Sequence, residues 1–154
     1  MLRPACDASS KSRSDMASEP GKGDAAGLRL MVAEDEFHVL LLVEDLLHSL
    51  GCEVAERASN LAQAITCAKT CDVDAALLDI NLAGEHIYPA AEILRARNIP
   101  LVFATGYGTQ GVEPAWRDCT ILQKPFLIQQ LERALIEIKA RRASAATPQS
   151  PPAP

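Results

Sequence analysis

The sequence predicts an α/β fold: a doubly wound, five-stranded parallel sheet with helices on both faces. Three observations predict it. Short apolar runs alternate along the chain with stretches of helical apolar spacing. The third and fourth runs, Val73–Leu78 and Ile99–Ala104, are apolar throughout, as strands covered on both faces should be. Reactive polar residues follow the strands at their carboxyl ends, where open sheets of this kind bind ligands.

The elements follow in order. Leu28–Ala33 is a short buried strand that ends in acids. Phe37–Leu50 carries Val39, Leu40, Val43, Leu46, Leu47 and Leu50 at helical spacing, and Gly51 stops the helix. Glu53–Ala58 is a weaker second strand, and Asn60 caps a helix that runs to about Thr70. The third strand, Val73–Leu78, is followed by a helix over Tyr88–Arg97 that Asn98 ends. In Ile99–Ala104, Pro100 sits near the start, where a missing donor is tolerated. Gly108, Gly111 and Pro114 predict a shortened or irregular fourth helix before a fifth strand, Thr120–Gln123. A final helix covers Ile128–Arg142, with Ile128, Leu131, Leu135 and Ile138 on its apolar side.

Of the 154 residues, 48% are hydrophobic and 4% aromatic, which suits one domain with an aliphatic core over residues 28–142. Residues 1–27 are too polar to offset their ordering entropy and read as a disordered tail, with Met16 as an alternative start. Residues 143–154 are Pro-rich and read as a second disordered tail. No output module is expected after residue 142. The net charge of -5, with no basic cluster beyond Arg141-Arg142, argues against a nucleic-acid partner. No apolar run reaches the roughly 18 residues of a membrane span. There is no secretory h-region, and the five cysteines are scattered without a Cys-x-x-Cys pair. These features point to reduced thiols and a cytoplasmic protein.

Four strand ends carry the candidate chemistry: Glu34-Asp35-Glu36, Asp79 with Asn81 two residues on, Thr105, and Lys124 before Pro125. The predicted topology brings them to one rim. Clustered carboxylates repel one another unless a divalent cation lies between them, and an oxygen site completed by water suits Mg²⁺. A Lys ammonium and a hydroxyl can bind the oxygens of a phosphoryl group, and a carboxylate can be its acceptor. Asp79, ending the central strand beside Glu34 and Asp35, is the best acceptor. Glu36 is better read as an acid at a helix N-terminus.

The set Glu34-Asp35, Asp79, Thr105 and Lys124-Pro125-Phe126 resembles the response-regulator receiver domain, the CheY-like family. The resemblance spans residues 28–142 and implies the flavodoxin-like strand order 2-1-3-4-5. By it, Asp79 is the phosphoacceptor. Asp35 ligates Mg²⁺ (or Mn²⁺) directly, Glu34 acts through water, and Asn81 contributes its backbone carbonyl. Thr105 binds a phosphoryl oxygen and shifts after transfer, and Lys124 pairs with Asp79 or the phosphoryl group. Pro125 often follows through a cis bond. The implied donor is a histidine kinase or histidine phosphotransfer protein. The implied output is through an unknown downstream protein or as a phosphate sink, from a monomer or weak dimer, without enzyme activity beyond self-phosphorylation and autodephosphorylation.

Phe103-Ala104-Thr105-Gly106-Tyr107 is similar to the FATGUY-type single-domain receivers, which are linked to stress signalling. The chain departs from the family pattern in several places. Glu34 replaces the commoner Asp, and Ala83 stands where Pro is frequent. Ile121 fills the position of the usual aromatic switch residue, so Tyr107 and the glycine-rich 106–111 loop are the candidate readout. Gly106 to Gly111 formally matches a dinucleotide fingerprint, but the next strand follows too soon for a crossover helix. An aspartyl phosphatase would place an Asp where Asn81 stands. The remaining alternative is a pseudo-receiver that binds partners without phosphorylation.

Overall fold

The computed structural model describes residues 24–146. Five strands form one parallel sheet: β1 (Arg29–Ala33), β2 (Glu53–Ala58), β3 (Ala75–Asp79), β6 (Leu101–Thr105) and β7 (Thr120–Gln123). Between β3 and β6 lies a small antiparallel hairpin, β4 (Asn81–Leu82) with β5 (Glu85–His86). The helices are α1 (Phe37–Ser49), α2 (Leu61–Thr70), α3 (Tyr88–Ala96) and α4 (Ile128–Ala146). The sheet order is β2-β1-β3-β6-β7. Counted among the five sheet strands alone, this is the expected 2-1-3-4-5.

Alternate residues of the central strands feed two cores. Met31, Ala76, Leu78, Leu101 and Phe103 face α2 and α3. Leu30, Val32, Ala75, Leu77, Val102 and Ala104 face α1 and α4. The prediction that the third and fourth strands are covered on both faces holds.

Several ends are set by the residues that predicted them. Asn60 Oδ1 accepts from Gln63 N at 2.9 Å, which satisfies one orphan donor at the start of α2, and Gln63 Oε1 accepts from Ser59 N, just before the cap, at 2.8 Å. Gly51, at φ 82°, ends α1: its N–H donates to His48 O and that of Cys52 to Leu47 O, each at 2.9 Å. Asn98, at φ 62°, ends α3 in the same way, through Arg95 O and Leu94 O.

The fourth helix of the expected alternation is replaced by two 3₁₀ turns, Gly108–Gly111 and Pro114–Trp116. Aromatic packing takes over its covering role. Trp116 stacks on Tyr88 at 5.7 Å and meets Phe103 edge-on, Arg95 lies 3.9 Å over its ring, and Tyr88 Oη accepts from Glu113 N.

Two boundaries shift and one element is added. Asp24–Gly27, assigned by composition to the first tail, form a turn in which Ala25 is buried. Its carbonyl accepts from Cys52 Sγ, and Ala26 O accepts from Lys139 Nζ, so small residues suffice where the neighbours supply the contacts. The last helix continues to Ala146 because its Ala- and Ser-rich end contains no breaker before Pro148. The hairpin β4–β5 went unpredicted because two-residue strands leave no periodicity to read. The tail assignments for residues 1–23 and 147–154 lie outside the described residues.

Candidate functional site

The carboxyl ends of β1, β3, β6 and β7 meet at one rim and bring Glu34, Asp79, Thr105 and Lys124 together. Parallel pairing enforces this. Ala33 is in register with Leu78, Asp79 with Ala104, and Thr105 with Gln123, so each polar residue leaves the sheet at the same level.

Lys124 Nζ donates to Glu34 Oε2 at 3.0 Å and to Asp79 Oδ2 at 3.2 Å. Glu34 Oε1 accepts from Glu36 N at 3.1 Å, fixing the carboxylate from its other side. Glu34 is 4% exposed and Asp79 8% exposed, whereas Asp35 is on the surface. One carboxylate oxygen from each of Glu34, Asp35 and Asp79 lies within 4.8 Å of the others. Three acidic oxygens so close, with one ammonium among them, fit a divalent cation.

The titration of these groups follows from burial. Burial raises the Asp79 carboxyl above its ordinary range; Lys124 opposes the rise and the Asp35 charge adds to it. Burial also raises Glu34, against the Glu36 N–H and Lys124. For Lys124, burial acts to lower the ammonium, but Glu34 and Asp79 outweigh it and the value is raised.

The other predicted residues sit around this centre. Thr105 is buried, and its Oγ1 accepts from Tyr107 N at 3.1 Å. Tyr107 itself is 80% exposed, so its ring fills no pocket. Ile121 pairs with Phe103 in the sheet and packs against the core on the α2 and α3 side. The Lys124–Pro125 bond is cis, and Lys124 N donates to Thr105 O at 2.8 Å. Asn81 Oδ1 accepts from Gly84 N at 3.1 Å, so the side chain is committed to the hairpin turn. In that turn Ala83 has φ 53°, which the fixed ring of proline cannot adopt. The absence of Pro at this position thus has a backbone cause.

Sequence reasoning missed the Glu36 N–H as the second holder of Glu34. It also missed Gly111, whose backbone lies directly against Thr105. The sequence signal for Gly111 was present in the glycine spacing, but that spacing reads only as loop.

Residues 30–136 match the family described as the response regulator receiver domain. The chain belongs to that family. No curated protein matches the sequence. Among solved structures, the receiver is similar to SdrG from Sphingomonas melonis Fr1, with 36% identity and a TM-score of 0.66 over 75% of this chain and 98% of that one. It is also similar to the receiver domain of the PhyR response regulator from Erythrobacter litoralis, with 26% identity and a TM-score of 0.65 over 86% of this chain and 100% of that one. A third structure is the receiver domain of a sensor histidine kinase from Pseudomonas aeruginosa PAO1, with a magnesium ion coordinated in its active-site cleft. It shares 27% identity over 74% of this chain and 99% of that one, with a TM-score of 0.61. As a receiver, the chain is a two-component signalling module. No helix among the described residues is long and apolar enough to cross a membrane.

Proposed function

We propose that this receiver accepts a phosphoryl group on Asp79 from a phosphohistidine of a histidine kinase or histidine phosphotransfer protein. The reading is carried by one observation: a single ammonium, Lys124 Nζ, bridges the two buried carboxylates Glu34 and Asp79 at the rim where Asp35 stands. A structural ion pair would need one acid. Three acids around one lysine leave excess negative charge, which a divalent cation and a transferring phosphoryl group together can balance.

In this reading an Asp79 oxygen attacks phosphorus as the P–N bond to the donor imidazole breaks, and the electron pair leaves with the imidazole. Lys124 favours the ionised form of Asp79 against the effect of its burial, and after transfer turns its ammonium to the phosphoryl oxygens. Thr105 donates its hydroxyl to another of those oxygens. Asp35, Asp79, the backbone carbonyl of Asn81 and, through water, Glu34 are the residues suited to hold Mg²⁺ or Mn²⁺. When bound, that ion supplies positive charge to the phosphoryl oxygens. The phosphorylated state is read by a protein partner through the 106–111 loop and Tyr107, or the receiver drains phosphoryl groups from its donor.

The test is intact mass after incubation with Mg²⁺ and acetyl phosphate. Wild type is expected to gain one phosphoryl group and Asp79→Asn none. An unmodified wild type that also takes nothing from phosphorylated histidine kinases of its source would favour the pseudo-receiver reading. Turnover of phosphate esters independent of Asp79 would favour a phosphatase.

A further inference from the structure

We infer that Gly111 is a positioning residue for Thr105: its missing side chain is the space in which the Thr105 hydroxyl rests. A Cβ built on Gly111 would lie 2.6 Å from Thr105 Oγ1 and 2.8 Å from Tyr107 Cβ. Both are closer than real Cβ contacts come, and neither neighbour is the free end of a flexible chain. Thr105 is β-branched, with a stiff χ1, and Tyr107 Cβ is fixed to the backbone. The backbone of Gly111 lies outside the left-handed region, so its conformation does not call for glycine. The requirement is one of space alone.

The turn is also held from its other side. Val112, next to Gly111, is buried, and its N–H donates to Thr109 O at 3.1 Å. The 108–111 turn therefore cannot swing outward without pulling Val112 from the core. Gly111 and the Tyr107 N–H close on the same hydroxyl from two directions and set the position from which it reaches a phosphoryl oxygen. When the hydroxyl leaves for a phosphoryl oxygen, the Tyr107 amide loses its acceptor and the Gly111 side of the turn loses its contact. This rests on the phosphoacceptor reading of Asp79, and gives the 106–111 loop a mechanical link to the site.

Four proteins test it: wild type, Gly111→Ala, Thr105→Ala and the double variant. Two readouts are taken. The first is the amide resonance of Tyr107 with its hydrogen exchange, which needs no phosphorylation. The second is the rate of phosphoryl gain from acetyl phosphate with Mg²⁺.

Gly111→Ala is expected to move the Tyr107 amide signal and speed its exchange as Thr105→Ala does. Each of Gly111→Ala and Thr105→Ala is expected to slow phosphorylation about tenfold, as for loss of one hydrogen bond to a charged oxygen. The double variant should be no slower than Thr105→Ala alone. A Tyr107 amide unchanged in Gly111→Ala overturns the inference, as does a double variant that multiplies the two losses. If Gly111→Ala fails to fold, recovery of folding in the double variant supports the clash with the hydroxyl, and failure of both overturns it. If wild type takes no phosphoryl group, the proposed function fails, and the amide readout still decides the role of Gly111.

Discussion

Replacing Asp79 by Asn should make the metal-free receiver more stable, not less. Asp79 shares its rim with carboxylate oxygens of Glu34 and Asp35 within 4.8 Å, and meets one cation, Lys124, at 3.2 Å. At an effective dielectric constant of about 20, each like-charge pair at 4.8 Å repels by about 3.5 kcal/mol, and the ion pair at 3.2 Å attracts by about 5 kcal/mol. Two repulsions against one attraction leave about 2 kcal/mol opposing the Asp79 charge, before the cost of burial is added. Asn fills the same volume and keeps an oxygen for Lys124. The expected gain is about 1–2 kcal/mol, or roughly 3–8 °C in Tm. The assay is urea unfolding at neutral pH and low salt in EDTA. Mg²⁺ should then stabilise wild type and leave Asp79→Asn nearly unchanged, narrowing or reversing the order. An Asp79→Asn protein as stable as wild type or less stable in EDTA would refute the reasoning, because the net field at Asp79 would then be attractive.

Other consequences can be checked with the same equipment. Because Asp79 and Glu34 are raised on folding, the metal-free native state binds more protons than the unfolded chain between their ordinary and raised values; stability should fall as pH rises through that window, and Asp79→Asn should flatten the fall. Arg97 donates to Ala68 O at 2.6 Å and Cys71 O at 2.7 Å, carbonyls at the end of α2. Arg97→Ala should therefore cost about 1–3 kcal/mol in urea unfolding. Trp116 joins Tyr88, Phe103 and Arg95 where a fourth helix would otherwise pack. Trp116→Ala should cost about 3–5 kcal/mol, with amide exchange rising first in residues 108–118.

Much of the fold was legible because its signals are local. Gly51 and Asn98 announced helix ends that only a left-handed residue can make, and Asn60 announced a start. The gathering of Glu34, Asp79, Thr105 and Lys124 at one rim was also legible, since parallel strands in this order share a carboxyl edge. What stayed hidden depends on tertiary contact. Nothing local shows that Ala25 is buried under Cys52, or that Ala83 must take a positive φ in a hairpin too short for periodicity. The closeness of Gly111 to Thr105 is set by where Val112 and the aromatic cluster anchor the intervening turns. The spacing of glycines carries no such information.

The most direct test of the account is to locate the phosphoryl group. Wild type is treated with acetyl phosphate in Mg²⁺ or in EDTA, digested, and the modified peptide sequenced by mass spectrometry. The account predicts one phosphoryl group, on Asp79, formed with Mg²⁺ and nearly absent in EDTA. A group on any other residue, or one that forms equally well in EDTA, would contradict it.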